Sequence, residues 1–319
     1  MKKMKVFLAS LMSLFILTGC EEKKPSICTT VYPVQYLAQR IGDKYVDVSN
    51  ISKNDVIQRT QIKNNYQTTL KKADALFYIN GLEPYMELYM DKIRAMDVEM
   101  INLATKSAIY KFERYTTVTV DGKTTGIASA YYAGEEFSSI DKYNADPLLW
   151  MDPVAMTSMA SDIRDYLIDK YPQYEKIFNT NFDELELDLA RLDADFQTIP
   201  NEKMDISFVS MTPSFGIWQR SYGVKVYPVS LSKYGSLPTS DQLTAIKKRI
   251  IRDKVRYIAV EQNLPQDMKD LQNTLVEELG LIPVTLHNLS SYSKEDLDAG
   301  KDYLTIMYEN LKALQSIAS

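Results

Sequence analysis

The sequence predicts an α/β protein: two four-stranded parallel-sheet lobes joined by a single long rigid helix. Three observations carry this. Strand-like and helix-like segments alternate from residue 27 to residue 103. The same rhythm returns from 206 to 286. Between them lies one apolar stripe at helical spacing, bounded by Pro172 and Pro200. Alternation of this kind belongs to parallel sheets with helices on their faces.

In the first lobe, 27–32 is a strand and 34–41 a helix that Gly42 is suited to close. Residues 46–51 form the next strand and 64–72 a helix. A strand over 74–79 ends in Asn80-Gly81. A helix over 84–96 has Pro84 in its first turn, where its missing N–H costs nothing, and 98–103 completes the set. Cys28 lies in an apolar segment and is expected as a buried strand residue. In the second lobe, strands are expected at 206–211, 225–231, 255–260 and 281–286. Helices are expected at 214–222, at 240–253 with Ser240 as N-cap, at 266–279 closed by Gly280, and at 294–317 as one long terminal helix.

The middle segment is different. Ile177, Phe182, Leu185, Leu189, Leu192 and Phe196 are spaced by five, then three, four, three and four. That is one face of a helix, long enough to run along both lobes. Residues 111–145 fit neither lobe's rhythm. Asp121-Gly122 between β-prone runs signals a hairpin inserted at about 112–133. The expected organisation is 27–172 as the first lobe, 173–200 as the connecting helix and 201–319 as the second lobe.

Ahead of the first strand, Lys2, Lys3 and Lys5 precede an apolar run too short to span a membrane as a helix. This is the pattern of a signal peptide, expected over 1–19. Leu17-Thr18-Gly19-Cys20 resembles a bacterial lipobox. The resemblance implies cleavage before Cys20, lipidation of its thiol, and a short tether over 20–26. The protein would then be anchored to the outer face of the bacterial cell membrane.

Composition narrows the function. The net charge is −5, and loss of the three N-terminal lysines makes it more negative. With no basic cluster, nucleic acid is not an expected partner. Of two cysteines, one sits in the lipobox, so no disulfide framework is expected. No nucleophile motif, phosphate loop or paired catalytic motif is present, so no enzyme activity is expected.

Several phrases then line up in order: Thr29-Thr30-Val31-Tyr32-Pro33, Lys72-Ala73-Asp74-Ala75, and Tyr78-Ile79-Asn80-Gly81-Leu82-Glu83-Pro84. Asp146-Pro147-Leu148-Leu149-Trp150-Met151-Asp152-Pro153, Ser214-Phe215-Gly216 and Gly300-Lys301-Asp302-Tyr303 follow. Together they resemble the zinc and manganese solute-binding lipoproteins of ABC importers. The resemblance implies two lobes on one rigid helix, an ABC permease as partner, and a metal held between the lobes by two or three histidines with carboxylates. The four matching positions here carry Gln58, Leu148, Thr212 and His287.

That set does not bind zinc well. The chain has a single histidine, so no site with two or three imidazoles can form within it, and Leu148 has no lone pair. Ligands of open α/β sheets sit beyond the carboxyl ends of the strands. Those ends add Tyr32, Glu83, Tyr234, Glu261 and Asn263 as candidate cleft residues, and Tyr131, near the base of the expected hairpin, is a sixth. The expectation is a monomeric receptor with no cofactor and no metal, binding a non-metal solute or a preformed metal chelate in the cleft. Two alternatives stand beside it: an atypical metal receptor using Glu261, His287 or Asp55, and a surface adhesin.

Overall fold

The computed structural model describes residues 24–53 and 55–319. The expected signal peptide and Cys20 lie outside the described residues. Of the expected tether, Lys24 pairs with Asp47, Pro25 accepts a hydrogen bond from the Asp47 amide, and Ser26 already belongs to the first strand.

The first half contains β1 (Ser26–Thr29), α1 (Tyr32–Gly42), β2 (Asp47–Asn50), α2 (Tyr66–Leu70), β3 (Ala75–Tyr78), α3 (Pro84–Arg94) and β4 (Glu99–Asn102). Its four strands are parallel, in the order β2-β1-β3-β4. Cys28 is fully buried, its thiol 3.1 Å from the Ser49 hydroxyl, and burial raises its pKa. Next comes an antiparallel hairpin, β5 (Arg114–Val120) and β6 (Lys123–Ser129). It turns at Asp121-Gly122, with φ of 50° and 74°. Two positive φ values in a two-residue loop match the twist of a hairpin and favour glycine at the second place.

Then follow α4 (Pro153–Lys170), α5 (Glu175–Phe196) and α6 (Thr198–Asn201). The sequence reading had no helix at α4. Its buried face is built from Ala155, Met156, Met159, Ala160, Ile163 and Leu167, and Asp162 lies buried among them. Small and flexible residues blur the apolar stripe. The start is nonetheless well specified, since Asp152 caps it by accepting from the Val154 amide at 2.8 Å.

At ~1.5 Å per residue, the 22 residues of α5 span about 33 Å. Its buried stripe begins at Phe178 rather than Ile177, which makes the spacing four, three, four, three and four throughout. The helix packs on α1 and α4 from the first half. At its far end Phe196 lies against Trp218 and Tyr222 of the second half, with ring centroids 5.7 and 4.9 Å away. Asn181 donates to the Ile41 carbonyl, and Arg40 pairs with Asp188 at 2.9 Å. One continuous helix therefore touches both sheets' helical layers.

The second half contains β7 (Ser207–Ser210), α7 (Ile217–Tyr222), β8 (Lys225–Pro228), α8 (Ser240–Arg252), β9 (Tyr257–Val260), α9 (Gln266–Leu279) and β10 (Ile282–Thr285). It closes with α10 (Lys294–Asp298) and α11 (Tyr303–Ser316). Its parallel sheet has the order β10-β9-β7-β8. Thr239, not Ser240, caps α8, in a reciprocal capping box with Gln242. The expected single terminal helix is two. Gly300 at φ 66° ends the first, and Asp302 opens the second by accepting from the Thr305 amide at 2.8 Å.

The inserted segment, expected with the first lobe, packs on the second. Phe112, Tyr131, Tyr132, Phe137 and Tyr143 share a core with Val209, Met211 and Val229. The Tyr132 hydroxyl donates to the Pro228 carbonyl at 2.8 Å, and Arg220 stacks between Tyr110 and Tyr115.

Candidate functional site

The loops after β1, β2 and β3 face those after β8, β9 and β10 through several direct contacts. Arg59 donates to the Gly235 carbonyl at 2.6 and 3.0 Å and pairs with Asp267 at 2.7 Å. Gly235 has φ 66°, and a Cβ on it would lie 3.0 Å from Arg59 and 3.2 Å from Gln58. Glycine is therefore required twice over, for its backbone and for this approach. On the other flank, Lys233 pairs with Glu87 at 2.9 Å, and the Tyr234 hydroxyl donates to the same carboxylate at 3.1 Å. Tyr234 is a partly exposed tie between lobes.

The four positions singled out in the sequence are all buried at this seam. Leu148 is a core residue among Leu149, Trp150 and Met151. The Trp150 indole N–H donates to the Asn288 carbonyl at 2.9 Å and so ties this turn to the second lobe. Thr212 donates its hydroxyl and its amide to Glu261. Glu261 is saturated: Oε1 accepts from the Met211 and Thr212 amides at 2.7 and 2.9 Å, and Oε2 from the Thr212 hydroxyl and the Asn288 amide. Burial raises the Glu261 pKa, and these bonds offset part of that.

His287 is engaged at both ring nitrogens. Nδ1 accepts from the Leu289 amide at 2.9 Å, so the ring proton sits on Nε2, which faces Asp296 at 3.3 Å. Its backbone is clamped in turn by Asn310, which accepts from the His287 N–H and donates to its carbonyl. Burial lowers the His287 pKa, and Asp296 opposes this in part. No free nitrogen is left for a metal.

Gln58 and Glu83 behave differently. Both are buried, and neither amide atom of Gln58 nor either carboxyl oxygen of Glu83 has a hydrogen-bond partner. Burial pushes the Glu83 carboxyl up to about 7, with the Thr30 hydroxyl and its own backbone amide acting in the opposite direction. Unpaired buried polar groups cost ~1–3 kcal/mol each, so they point to a function or a ligand. Tyr32 stacks on Tyr292 of the second lobe at 4.2 Å. Asn263, at φ 56°, donates to the Ser291 hydroxyl at 2.5 Å. Tyr131 points into the second core, its hydroxyl accepting from Gln219 at 3.0 Å. Asp55, named in the metal alternative, is exposed.

Sequence reasoning missed Asp146 and Asp296. Burial pushes the Asp146 carboxyl up to about 6, with the Leu148 amide as counterweight. Asp146 stands in a phrase that was already singled out, but nothing in it signals burial. Asp296 meets His287 only through the fold of the loop after β10. Among the described residues no group of three or more His, Cys, Asp or Glu is placed to hold a metal ion. The donors at the four positions singled out by resemblance do not fit a tetrahedral zinc site.

Two parallel-sheet lobes spanned by one helix, with candidate groups at the facing strand ends, define a bilobal α/β protein. The family model described as "ZnuA: Zinc-uptake complex component A periplasmic" matches residues 27–317, and the chain belongs to that family. The zinc-binding lipoprotein AdcA of Streptococcus pneumoniae is 26% identical over 333 residues, covering 99% of this chain and 61% of its own length. The chain thus spans about three fifths of that relative. The crystal structure of Zn(II)-bound AdcA from the same organism superposes with a TM-score of 0.70 at 23% identity, over 92% of this chain and 57% of that one. The metal-dependent lipoprotein YcdH of Bacillus subtilis gives 0.68 at 21% identity, over 93% of this chain and all of its own. At these identities the superpositions establish the fold.

Proposed function

We propose that the chain is the extracytoplasmic receptor of an ABC importer of the zinc-uptake class. It captures its solute at the interlobe seam and delivers it to the permease. Export and a lipid anchor on Cys20 complete this reading, with lobes at 27–172 and 201–319, the connector at 173–200, and the insert within the first range seated on the second lobe. Family membership over residues 27–317 carries the class.

For the cargo, the donor set favours a solute held by hydrogen bonds over a bare zinc ion. Leu148 offers no donor, the carboxylate of Glu261 is saturated, and both nitrogens of His287 are engaged. Gln58 and Glu83 supply unpaired neutral groups suited to an organic solute. A second reading is a metal receptor with shifted ligands. The names of its relatives favour it, as does the unpartnered carboxyl of Glu83. Metal analysis together with mass spectrometry of small molecules released from the purified protein separates the two. An organic solute without stoichiometric metal supports the first reading; stoichiometric zinc supports the second.

A further inference from the structure

A cavity of about 590 Å³ lies on the edge of the second lobe that faces away from the seam. Ser207, Lys225 and Tyr257 wall it, and they are the first residues of β7, β8 and β9, whereas the seam is built beyond the other ends of the strands. The insert closes it: Arg114, the first residue of β5, reaches it from the hairpin. Its size falls within the ~300–1,000 Å³ of ordinary ligand pockets.

Five cationic side chains line this cavity: Arg114, Lys225, Arg249, Lys254 and Arg256. The acidic side chains among them are Asp205 and Asp253, and both are engaged. Lys225 pairs with Asp205 at 2.7 Å. Asp253 accepts from Arg249 and the Tyr227 hydroxyl on one oxygen, at 2.5 and 2.9 Å, and from Arg252 on the other at 3.0 Å. Positive charge remains in excess even with a carboxylate at Ser319, on the same wall, counted against it. The chain as a whole carries −5, so this wall runs against the average charge of the protein.

Three of the cations keep free donors. Among the described residues Lys254 and Arg256 meet no carboxylate within 4.0 Å. The Arg114 guanidinium makes no hydrogen bond to a described residue, and its nearest carboxylate, that of Asp253, is 3.9 Å away and already taken. The Arg114 side chain is only 16% exposed. A charge withdrawn from water without a hydrogen-bond partner is costly, and an anion in the cavity offsets that cost. The Tyr227 ring lies 5.8 Å from the Arg114 guanidinium, and the Tyr257 ring 5.9 Å from that of Arg256. Aromatic contacts of this kind support a guanidinium and leave its N–H edge for a ligand.

We propose that this cavity is a second binding site, separate from the solute seam, and that it takes a phosphoryl group, of free phosphate or of a phosphomonoester. The forked donors of Arg114 and Arg256 match phosphate oxygens two at a time, and Lys254 adds a point charge. A carboxylate has two oxygens for these three cations; a phosphoryl group has at least three. Arg114 belongs to the insert and the other two cations to the second lobe, so the bound anion ties the hairpin to that lobe.

The test is calorimetric titration of the purified full-length protein at about pH 7 and low ionic strength with inorganic phosphate, glycerol 3-phosphate and acetate. At least one phosphoryl ligand should bind 1:1 with a Kd below about 1 mM, and acetate about tenfold more weakly or not at all. Tighter binding of glycerol 3-phosphate assigns the site to an ester; equal or tighter binding of inorganic phosphate assigns it to the free ion. Arg114→Gln should weaken the ligand about tenfold, the loss of a charge-assisted contact. Arg256→Gln should weaken it severalfold, and serves if Arg114→Gln does not fold. Lys71→Gln, which removes an exposed charge from the first lobe, should leave the affinity unchanged. The bound ligand should also slow amide hydrogen exchange over 114–129. Silence with both phosphoryl ligands, acetate binding as tightly as they do, or full affinity in both folded arginine variants overturns the proposal. So does a loss in Lys71→Gln as large as theirs, which would make the binding a matter of overall charge. None of these results bears on the seam, so the receptor reading is tested separately.

Discussion

Glu83→Gln should flatten the pH dependence of stability near neutrality. The Glu83 carboxyl is 2% exposed, and burial raises its pKa from an ordinary 4.5 to about 7. Between those values the unfolded chain has released the proton while the folded chain still holds it. The folded state binds more protons, so unfolding free energy falls as pH rises. At ~1.4 kcal/mol per pH unit the whole window is worth about 3 kcal/mol. Asp146, raised from 3.8 to about 6, acts in the same direction but is spent by about pH 6. His287 acts oppositely. Its folded pKa is lowered, so below the ordinary 6.5 the unfolded chain takes up a proton the folded chain refuses, and stability there rises with pH. Above 6.5 that contribution is constant, which makes pH 6.5 to 7.5 the diagnostic interval. The assay is urea unfolding followed by circular dichroism at fixed ionic strength. The parent protein should lose about 0.7 kcal/mol of stability across the interval, its slope falling from ~1 to ~0.3 kcal/mol per pH unit as Glu83 ionises. Glu83→Gln should be shallower there, keeping only the same-signed contribution of Glu261, whose carboxyl burial also raises, and more stable than the parent at pH 8 by up to about 3 kcal/mol. Equal slopes in the two proteins, or a variant less stable at pH 8, would refute the reasoning.

Two further outcomes follow from the same geometry. Leu148 is fully buried in the core, so Leu148→Ala should cost ~2–5 kcal/mol in urea unfolding and leave zinc titration heats unchanged; a stability loss under 1 kcal/mol would mean the position is not a packed one. Cys20→Ala, once confirmed to be processed, should move the protein from the membrane fraction to the soluble fraction, because anchoring depends on acyl chains at ~0.8 kcal/mol per buried CH₂. Retention of the processed variant would rule out the lipid anchor.

Much of the fold was legible because its signals are local. The β-prone runs around Ile27, Leu76, Val209 and Ile258 became strands, and Asp121-Gly122 became the hairpin turn. What failed was also physical. The α4 segment hides its stripe behind Ala and Met, and a terminal helix that looked continuous breaks at Gly300, where the backbone turns left-handed. The packing of the insert on the second lobe depends on Tyr132 and Phe112 finding partners about a hundred residues away. For the site, the sequence offered four candidate positions through a resemblance, and its single histidine excluded a multi-histidine centre by count. It could not show that Glu261 is saturated while Glu83 is unpaired, because both read only as acids near strand ends. Nor could it reveal the Tyr32–Tyr292 stack, whose rings come from opposite lobes.

The most direct test of the central claim is zinc titration calorimetry on chelator-stripped, tag-free protein, repeated with His287→Ala. Zinc requires about four good donors in a tetrahedral array. Gln58, Leu148, Thr212 and His287 present an amide, a hydrocarbon, a hydroxyl committed to Glu261 and an imidazole with both nitrogens in use. No tight stoichiometric heat is expected from either protein. A 1:1 site of sub-micromolar affinity that His287→Ala abolishes would contradict the account and establish a metal receptor with rearranged ligands.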